Sequence, residues 1–425
     1  MANEMPVNCT LCDCLAGDRC TFHEVELDNP TFSVCRQFRL PEEPPEAALA
    51  QYPGLGELSP DWIYELDVGG EAAPLVQVAR RRRQRGRNTG KLPFENADLP
   101  EVTVHEAVDR RDRFAGALLG VGIGDALGFP AEGRGPSEIE MIYGGPIRGY
   151  AGRIGRRHTW PVGQVTKDTQ LVFCLGESLV EAGELDMDDF AERLIRWLPS
   201  SLRAGKSTAQ SVQALAEGRH WSVCGIESNG AGSTVRVVPL ALLLHEDLGR
   251  LRQAAILQSM PTHQAAKAYA GAVLMATAVA TLANTPRGEL KPADWLSLLE
   301  RAIRGIDFEM SAALHDVAAC LSQHLPAAAA LLRFKTGGYV LECLPAALYC
   351  FLRHPDDPER ALLAAANGGF AASSVAAMAG AMVGAYHGRS GLPAQLVDGL
   401  PVASGLIALS ERLHARLPVR VAINA

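Results

Sequence analysis

Segment 367–387 constrains the fold of this chain most, because it combines small residues with an absence of charge. It contains no Asp, Glu, Lys or Arg, and it opens with Asn-Gly-Gly, which is a turn signal. Ser373 and Ser374 follow where a helix should begin, and serine is a favoured N-cap. The many Ala and Gly residues after them allow other helices to approach closely. We therefore predict a buried central helix, Ser373–His387, with an N-terminus suited to an anion or to chemistry.

A second small-residue segment begins near Arg113 and carries glycines at a four-residue spacing, at positions 116, 120, 124 and 128. This spacing places the four glycines on one face of a helix. Each glycine costs a helix interior about 1 kcal/mol relative to alanine. Four in register therefore predict a close helix crossing or a ligand pressed against the backbone. Asp125 is a polar group on this tightly packed helix, and Glu132 follows it in a loop.

Helical periodicity and Gly- or Pro-marked loops dominate the rest of the chain, and alternating β-branched segments are nearly absent. The class predicted is all-α, with one compact, orthogonal multi-helix domain over residues 108–425. Thr166 or Asp168 is the expected cap of a helix that continues through Leu179. The later helices are predicted at Met187–Trp197, Thr208–Glu217, Val237–His245, Leu251–Gln258, Gln264–Ala283, Pro292–Arg304, Met310–His324, Gly338–Arg353, Pro358–Ala366, Ser373–His387 and Pro401–Arg416.

Charge and hydropathy exclude some classes of protein. The net charge of −8 gives no general argument for nucleic-acid binding. The uncharged runs Ala268–Asn284 and Ala361–Tyr386 are rich in Ala, Gly, Thr and Ser rather than in Leu, Ile and Phe, so we expect buried helices and no membrane span. No signal peptide is visible, and the later cysteines lie in apolar helical contexts. A cytoplasmic, reducing location is the expectation.

The first 78 residues form a predicted cysteine-rich module. Its candidate zinc ligands are Cys9, Cys12, Cys14, Cys20, His23 and Cys35. Thiolates and an imidazole at short spacing suit tetrahedral Zn²⁺. The pattern lacks a clean pair of CxxC knuckles, so free cysteines, disulfides or another metal centre remain open.

Residues 79–107 are predicted to be a basic linker between this module and the helical domain. The run Arg80–Arg87 holds six arginines. It is suited to phosphates, nucleic acid or an acidic partner, although a solvated linker is the favoured interpretation. Binding of a protein partner through the cysteine-rich module and the arginine run therefore remains an alternative.

Several motifs, in order, resemble those of the ADP-ribosylglycohydrolase family, which includes the dinitrogenase reductase-activating glycohydrolase and the vertebrate ADP-ribosylhydrolases. The resemblance covers roughly residues 110–415. It rests on the glycine helix with Gly-Asp-Ala-Leu-Gly, Glu132, Thr-Lys-Asp-Thr at 166–169, Ala-Gly-Lys-Ser-Thr at 204–208, Gly-Ala-Gly-Ser-Thr-Val-Arg at 230–236, the pair Thr262-His263, and Gly-Gly-Tyr-Val at 337–340 with Leu-Pro-Ala-Ala-Leu at 344–348.

The resemblance implies hydrolysis of a bond between ADP-ribose and an acceptor, with two Mg²⁺ ions held by carboxylates and hydroxyls. This chain departs from the pattern at the metal ligands. Lys167, Ala371 and Ser373 stand at three of the four core carboxylate positions, and Phe370 replaces a glycine. Thr166, Asp168 and Ser374 remain as a remnant Mg²⁺ site, which carries too little negative charge for two dications.

The sequence therefore favours a pseudoenzyme that binds ADP-ribose or a related nucleotide without hydrolysing it. Two alternatives remain: an active hydrolase with an altered metal site, using Glu132 or Asp168 as general base, and a scaffold that acts through the N-terminal module. The resemblance assigns ligand binding to Gly230, Gly232, Ser233, Arg236 and His263. A simple glycine loop, an Arg236 paired with a nearby acid and a packed His263 are the plainer interpretations.

Overall fold

A computed structural model describes residues 99–155 and 158–417, together with the backbone of three short strands before them. Those strands are β1 (Leu15–Ala16), β2 (Arg19–Cys20) and β3 (Val25–Glu26), and they form an antiparallel sheet in that order. A second antiparallel pair consists of β4 (Arg153–Ile154) and β5 (Thr159–Trp160).

Eighteen α-helices and three short 3-10 helices, Phe129–Ala131, Leu198–Ser200 and Arg389–Gly391, make up the rest of the described fold. The first nine are α1 (Arg110–Gly128), α2 (Pro136–Tyr143), α3 (Lys167–Ala182), α4 (Met187–Trp197), α5 (Lys206–Ala216), α6 (Trp221–Cys224), α7 (Gly232–Val235), α8 (Val238–Leu243) and α9 (Leu248–Ser259). The other nine are α10 (Ala266–Leu282), α11 (Pro292–Ile303), α12 (Phe308–Ser322), α13 (Ala327–Phe334), α14 (Val340–Arg353), α15 (Pro358–Ala366), α16 (Ala372–His387), α17 (Ala394–Asp398) and α18 (Ala403–His414). The all-α prediction is confirmed.

The antiparallel pair of α1 and α16 is the most extensive helix contact in the described domain. Its glycines bring the two backbones together: a Cβ on Gly120 would lie 1.9 Å from the carbonyl oxygen of Gly380, and one on Gly380 would lie 2.0 Å from that of Gly120. The other steps of this contact, called the seam below, pair Gly116 with Gly384, Gly124 with Ala376 and Gly128 with Ala372. The close crossing predicted from the glycine spacing is therefore present.

The seam lies at the centre of the core. Every residue of α16 is buried, and so is every residue of α1 from Arg113 onward. Helices α10, α14 and α15 also pack on α16, while α18 packs on α1 and α3. Arg113 donates from Nη1 to the carbonyl oxygen of Ala385 at 3.2 Å, which places a cation at the negative end of the α16 dipole.

Helix starts agree with the sequence where a capping side chain decides them. Thr166 caps α3, as predicted, and aspartates cap α1, α4, α9, α12 and α15. The prediction that Ser373 or Ser374 caps α16 was wrong, because Ala371 is the N-cap and offers no side-chain cap. Helices α2, α6, α7, α13 and α17 were not predicted.

One helical stretch, Arg110–Ala131, passes a length and hydropathy test for a membrane span, and its apolar window is completely buried within the fold. The uncharged run Ala268–Asn284 falls largely within α10, and Ala361–Tyr386 is divided between α15 and α16. The predicted zinc ligands, from Cys9 to Cys35, and the run Arg80–Arg87 lie outside the residues whose side chains the structure describes. The module at 1–78 and the linker at 79–107 stay predictions.

Candidate functional site

Asp125 ties the end of α1 to the start of α3. It is completely buried and accepts four hydrogen bonds: from Thr166 N and Oγ1 at 2.8 Å each, from Thr169 N at 3.1 Å and from Thr169 Oγ1 at 2.6 Å. Burial, followed by the charge of Asp168, raises the pKa of Asp125 to about 7, while the bonds from the two threonines oppose that rise. This anchor fixes the first turn of α3, where Lys167 and Asp168 lie.

Lys167, Asp168 and Ser374 form a closed triangle between the N-termini of α3 and α16. The Lys167 ammonium lies 3.0 Å from Asp168 Oδ2 and donates to Ser374 Oγ at 3.3 Å, and Ser374 Oγ donates to the same Asp168 oxygen at 2.7 Å. The other carboxylate oxygen of Asp168, Oδ1, is buried and has no hydrogen-bond partner. The triangle therefore leaves one strong acceptor free for a ligand.

The Lys167 ammonium remains charged in this setting. Burial alone would lower the pKa of Lys167, but the carboxylates of Asp168, Glu132 and Asp125 outweigh it and hold that pKa above its usual range. A permanent positive charge thus occupies the gap between the two helix starts.

Glu132 also binds the start of α16, one residue before Ser374. Its Oε2 accepts hydrogen bonds from Ser373 N at 3.0 Å and Ser373 Oγ at 2.8 Å. Its loop is held in place by Arg153, whose Nη1 donates to the carbonyl oxygens of Phe129 at 2.9 Å and Glu132 at 2.6 Å. The Ser373 hydroxyl is therefore used to bind Glu132, which is why it does not cap the helix.

This donor set does not fit the two Mg²⁺ ions that the resemblance implies. Among residues 99–155 and 158–417, no group of three or more His, Cys, Asp or Glu side chains could hold a metal ion. The remnant ligands Thr166 and Ser374 are already bonded to Asp125 and Asp168, and Lys167 adds charge of the wrong sign.

The loop before α7 brings three of the predicted ligand-binding residues together. A Cβ on Gly230 would lie 3.3 Å from His263 Nε2, and one on Gly232 would lie 2.9 Å from His263 Cε1. His263 Nδ1 is 2.8 Å from Thr262 Oγ1. Burial, followed by the charge of Arg236, lowers the pKa of His263 to about 3, so the imidazole is neutral at physiological pH. We name Gly230–Gly232 with His263 the glycine–histidine face.

Arg236 and Ser233 are placed differently from what their predicted contact with a phosphate requires. Arg236 is fully buried and donates to Gln258 Oε1 at 2.8 Å and Gln258 O at 2.5 Å, so its partner is an amide rather than an acid. Burial lowers the pKa of Arg236 to about 9. Ser233 is also fully buried, and its hydroxyl has no partner. Both residues lie beneath the glycine–histidine face.

A segment that sequence reasoning did not assign to the site links its two halves. We call residues 335–340 the connector. Thr336 O accepts from Ala371 N at 2.9 Å, while Gly338 O accepts from Ala231 N at 3.3 Å. Lys335 and Thr336 have positive φ values of 74° and 43°. A β-branched residue such as Thr336 rarely adopts this conformation. The Gly-Gly pair at 337–338 was the only sequence signal for this turn.

Phe370 precedes α16 in a strained conformation. Its φ is +52°, and its side chain is 49% exposed. Its amide donates to Arg134 O at 2.8 Å and its carbonyl oxygen accepts from Gly133 N at 2.6 Å, so the Glu132 loop holds the backbone in place. The residue identified from sequence as a replaced glycine thus keeps a backbone that glycine favours.

Comparison with known proteins gives consistent matches. A family model described as ADP-ribosylglycohydrolase matches residues 106–421. The chain is 29% identical over 321 residues to the ADP-ribosylarginine hydrolase Tri1 of Pseudomonas putida, covering 72% of this chain and 79% of that protein. It is 27% identical over 326 residues to the ADP-ribosylhydrolase ARH3 of Gallus gallus, covering 66% and 87%. A solved structure named as an ADP-ribosylglycohydrolase-related protein complex superposes with a TM-score of 0.59 at 27% identity, covering 72% of this chain and 99% of that one.

Proposed function

This chain belongs to the ADP-ribosylglycohydrolase family, and from that premise we propose that it binds ADP-ribose, or a nucleotide of the same kind, without magnesium-dependent hydrolysis. The observation that carries the proposal is the Lys167–Asp168–Ser374 triangle, where an ammonium 3.0 Å from Asp168 stands between the helix starts. A fixed monovalent cation supplies charge for binding, but it cannot coordinate and activate water as a divalent ion does.

The terminal ribose of the ligand belongs at the triangle. Asp168 Oδ1 is a buried carboxylate oxygen without a partner, and a ribose hydroxyl is the kind of donor that would satisfy it. The Lys167 ammonium keeps its charge, and about a sixth of its side chain is exposed (17%). It can therefore donate to a second sugar oxygen. Glu132 binds the Ser373 amide next to the triangle and would face the anomeric end of the sugar.

The diphosphate belongs at the glycine–histidine face. The absence of side chains at Gly230 and Gly232 lets the His263 ring pack against this backbone, within van der Waals reach of both residues. The neutral imidazole can donate one hydrogen bond to a phosphate oxygen without an added charge. The connector fixes this face relative to the triangle, through Ala231 on one side and Ala371 on the other.

Calorimetry with ADP-ribose in the presence of EDTA tests the proposal. We expect measurable binding without divalent metal. Lys167→Met should weaken it about tenfold or more, which is the scale of one lost charge-assisted hydrogen bond. Lys291→Met is the matched control, because Lys291 is exposed directly before α11, outside both halves of the site, and this variant should bind as wild type. No heat at millimolar ADP-ribose would overturn the proposal.

An active hydrolase with altered metal use is the second candidate, favoured by the position of Glu132 beside the start of α16. The discriminating assay is release of ADP-ribose from ADP-ribosylated arginine or serine, with and without Mg²⁺. Our proposal expects no release under either condition. Release that is lost in Asp168→Ala would establish the hydrolase instead.

A further inference from the structure

We propose that Phe370 is an aromatic platform for a flat ring carried on the terminal ribose, so that the preferred ligand is a dinucleotide rather than free ADP-ribose. This inference rests on the function proposed above, because it uses the same placement of the ribose. It is carried by the backbone strain, the clamping and the exposure of Phe370.

The conformation of Phe370 is costly. Among the residues that the structure describes, five non-glycine residues have positive φ, and Phe370 is the only apolar one. A bulky side chain in this region is an outlier that glycine would avoid without loss of any hydrogen bond. Such strain persists where the surroundings impose it, and it concentrates at ligand sites.

The loop that follows Glu132 imposes this strain on Phe370. Two backbone hydrogen bonds join Phe370 to Gly133 and Arg134, the residues directly after Glu132. The ring tip lies 3.8 Å from the position of a Cβ on Gly135, and half of the side chain remains open to solvent. The backbone is therefore fixed while the ring is left without a complete apolar partner.

The path of the ligand leads to this ring. Consecutive amides before α16 bond to both of the segments that flank it: Ala371 N donates to Thr336 O in the connector, and Phe370 N donates to Arg134 O, two residues after Glu132. A ligand that enters over the glycine–histidine face and places its ribose at Asp168 therefore reaches the Glu132 side next. The group attached to that ribose would meet Phe370.

The residues around Phe370 favour a ligand that carries a planar ring. Stacking of a base on an aromatic side chain strengthens binding by about fivefold or more. Free ADP-ribose carries only a hydroxyl there and gains nothing from Phe370.

Calorimetry with NAD⁺ and with ADP-ribose on the full-length protein tests the inference. We expect wild type to bind NAD⁺ about fivefold more tightly than ADP-ribose. Phe370→Ala and Phe370→Gly should both bring this ratio to about one, whereas Phe370→Trp should keep it. Phe308→Ala is the matched control, since Phe308 is 81% exposed on α12 and contributes to neither half of the site.

Comparison of Phe370→Ala with Phe370→Gly separates the effect of the ring on binding from its effect on stability. Phe370→Gly should unfold at a higher temperature than Phe370→Ala, because only glycine adopts the +52° φ without strain. A wild-type ratio near one, or a preference for NAD⁺ that survives in Phe370→Ala, would overturn the platform while ADP-ribose binding still supports the proposed function. Failure of both ligands to bind wild type would remove the proposed function and the platform together.

Discussion

At the scale of single residues, the charge at position 167 decides what the site can hold. Lys167 places an ammonium where the family resemblance implies a carboxylate, and the protein itself supplies the cation that pairs with the neighbouring Asp168. Buried pairs of this kind are expensive to break, because removal of one partner leaves the other charge unsatisfied. The same residue therefore contributes to the fold and sets the chemistry.

Restoring the acidic residues should restore metal binding. The triple variant Lys167→Asp, Ala371→Asp, Ser373→Asp would place carboxylates against Asp168 and Glu132, and their repulsion should lower stability without metal by about 2 kcal/mol or more. Added Mg²⁺ should raise its melting temperature, because hard oxygen ligands then surround a dication. Wild type and Lys291→Asp serve as controls, and an equal response to Mg²⁺ in all three proteins would contradict the prediction.

Acid should destabilise the protein through His263. Its folded pKa, about 3, lies below the ordinary value of 6.5, so its contribution to stability is complete above pH 6.5 and is lost as the pH falls toward 3. In that window wild type should lose up to about 1.4 kcal/mol per pH unit relative to His263→Asn, which cannot be charged.

Urea unfolding of both proteins at several pH values measures this slope. His315→Asn is the control for a histidine in a solvent-accessible position, since the His315 side chain is 70% exposed. Parallel pH profiles for wild type and His263→Asn would show that the imidazole is not buried as described.

At the scale of elements, the seam between α1 and α16 was the most predictable feature and the start of α16 was the least. Glycines at four-residue spacing indicate a close crossing whatever their partner is, so the sequence carried that information directly. The cap of α16 depended on a residue far away in sequence, Glu132, which binds Ser373. The connector depended on positive φ at Lys335 and Thr336, residues that local preferences place elsewhere.

A single methyl group in the seam should disrupt it. In Gly120→Ala the new Cβ would lie 1.9 Å from the Gly380 carbonyl oxygen, and a backbone atom cannot move aside as a side chain would. We expect a loss of about 3 kcal/mol or more in the free energy of unfolding. Gly149→Ala is the control, because nothing lies within 4 Å of its Cβ position. Chemical denaturation of the two variants measures this loss. Equal unfolding midpoints for Gly120→Ala and Gly149→Ala would contradict the backbone contact.

At the scale of the whole molecule, the fold class followed from the sequence, while the burial of individual residues did not. Helical periodicity and ordered motifs gave the all-α fold and brought Glu132, Asp168 and His263 into consideration. The burial of Arg236 could not be read from its motif, because the motif fixes a residue's place on a helix but not which neighbours cover it. Its partner, Gln258, lies 22 positions away on α9.

The N-terminal cysteines lead to a prediction for the full-length chain. Elemental analysis should find about one zinc per chain and no stoichiometric magnesium, since thiolates select Zn²⁺ and the helical domain has too few free carboxylates. Cys12→Ser should lower the zinc content. Cys224→Ser is the matched control, because Cys224 Sγ donates to carbonyl oxygens that a hydroxyl can also reach. Zinc retained in Cys12→Ser and Cys20→Ser would exclude these ligands.

The seam also determines which wall of the site can yield when a ligand enters. Gly128 meets Ala372 at its last step, so the Glu132 loop and the start of α16 are held by backbone against backbone. Main-chain atoms in direct contact cannot move aside by changing a side-chain rotamer, so we expect this wall of the site to stay fixed. The opposite wall has no such interlock. It is joined to the connector by hydrogen bonds from Ala231 N to Gly338 O and from Val340 N to Asn229 O. We therefore expect the glycine–histidine face to adjust more than the seam side when a ligand binds.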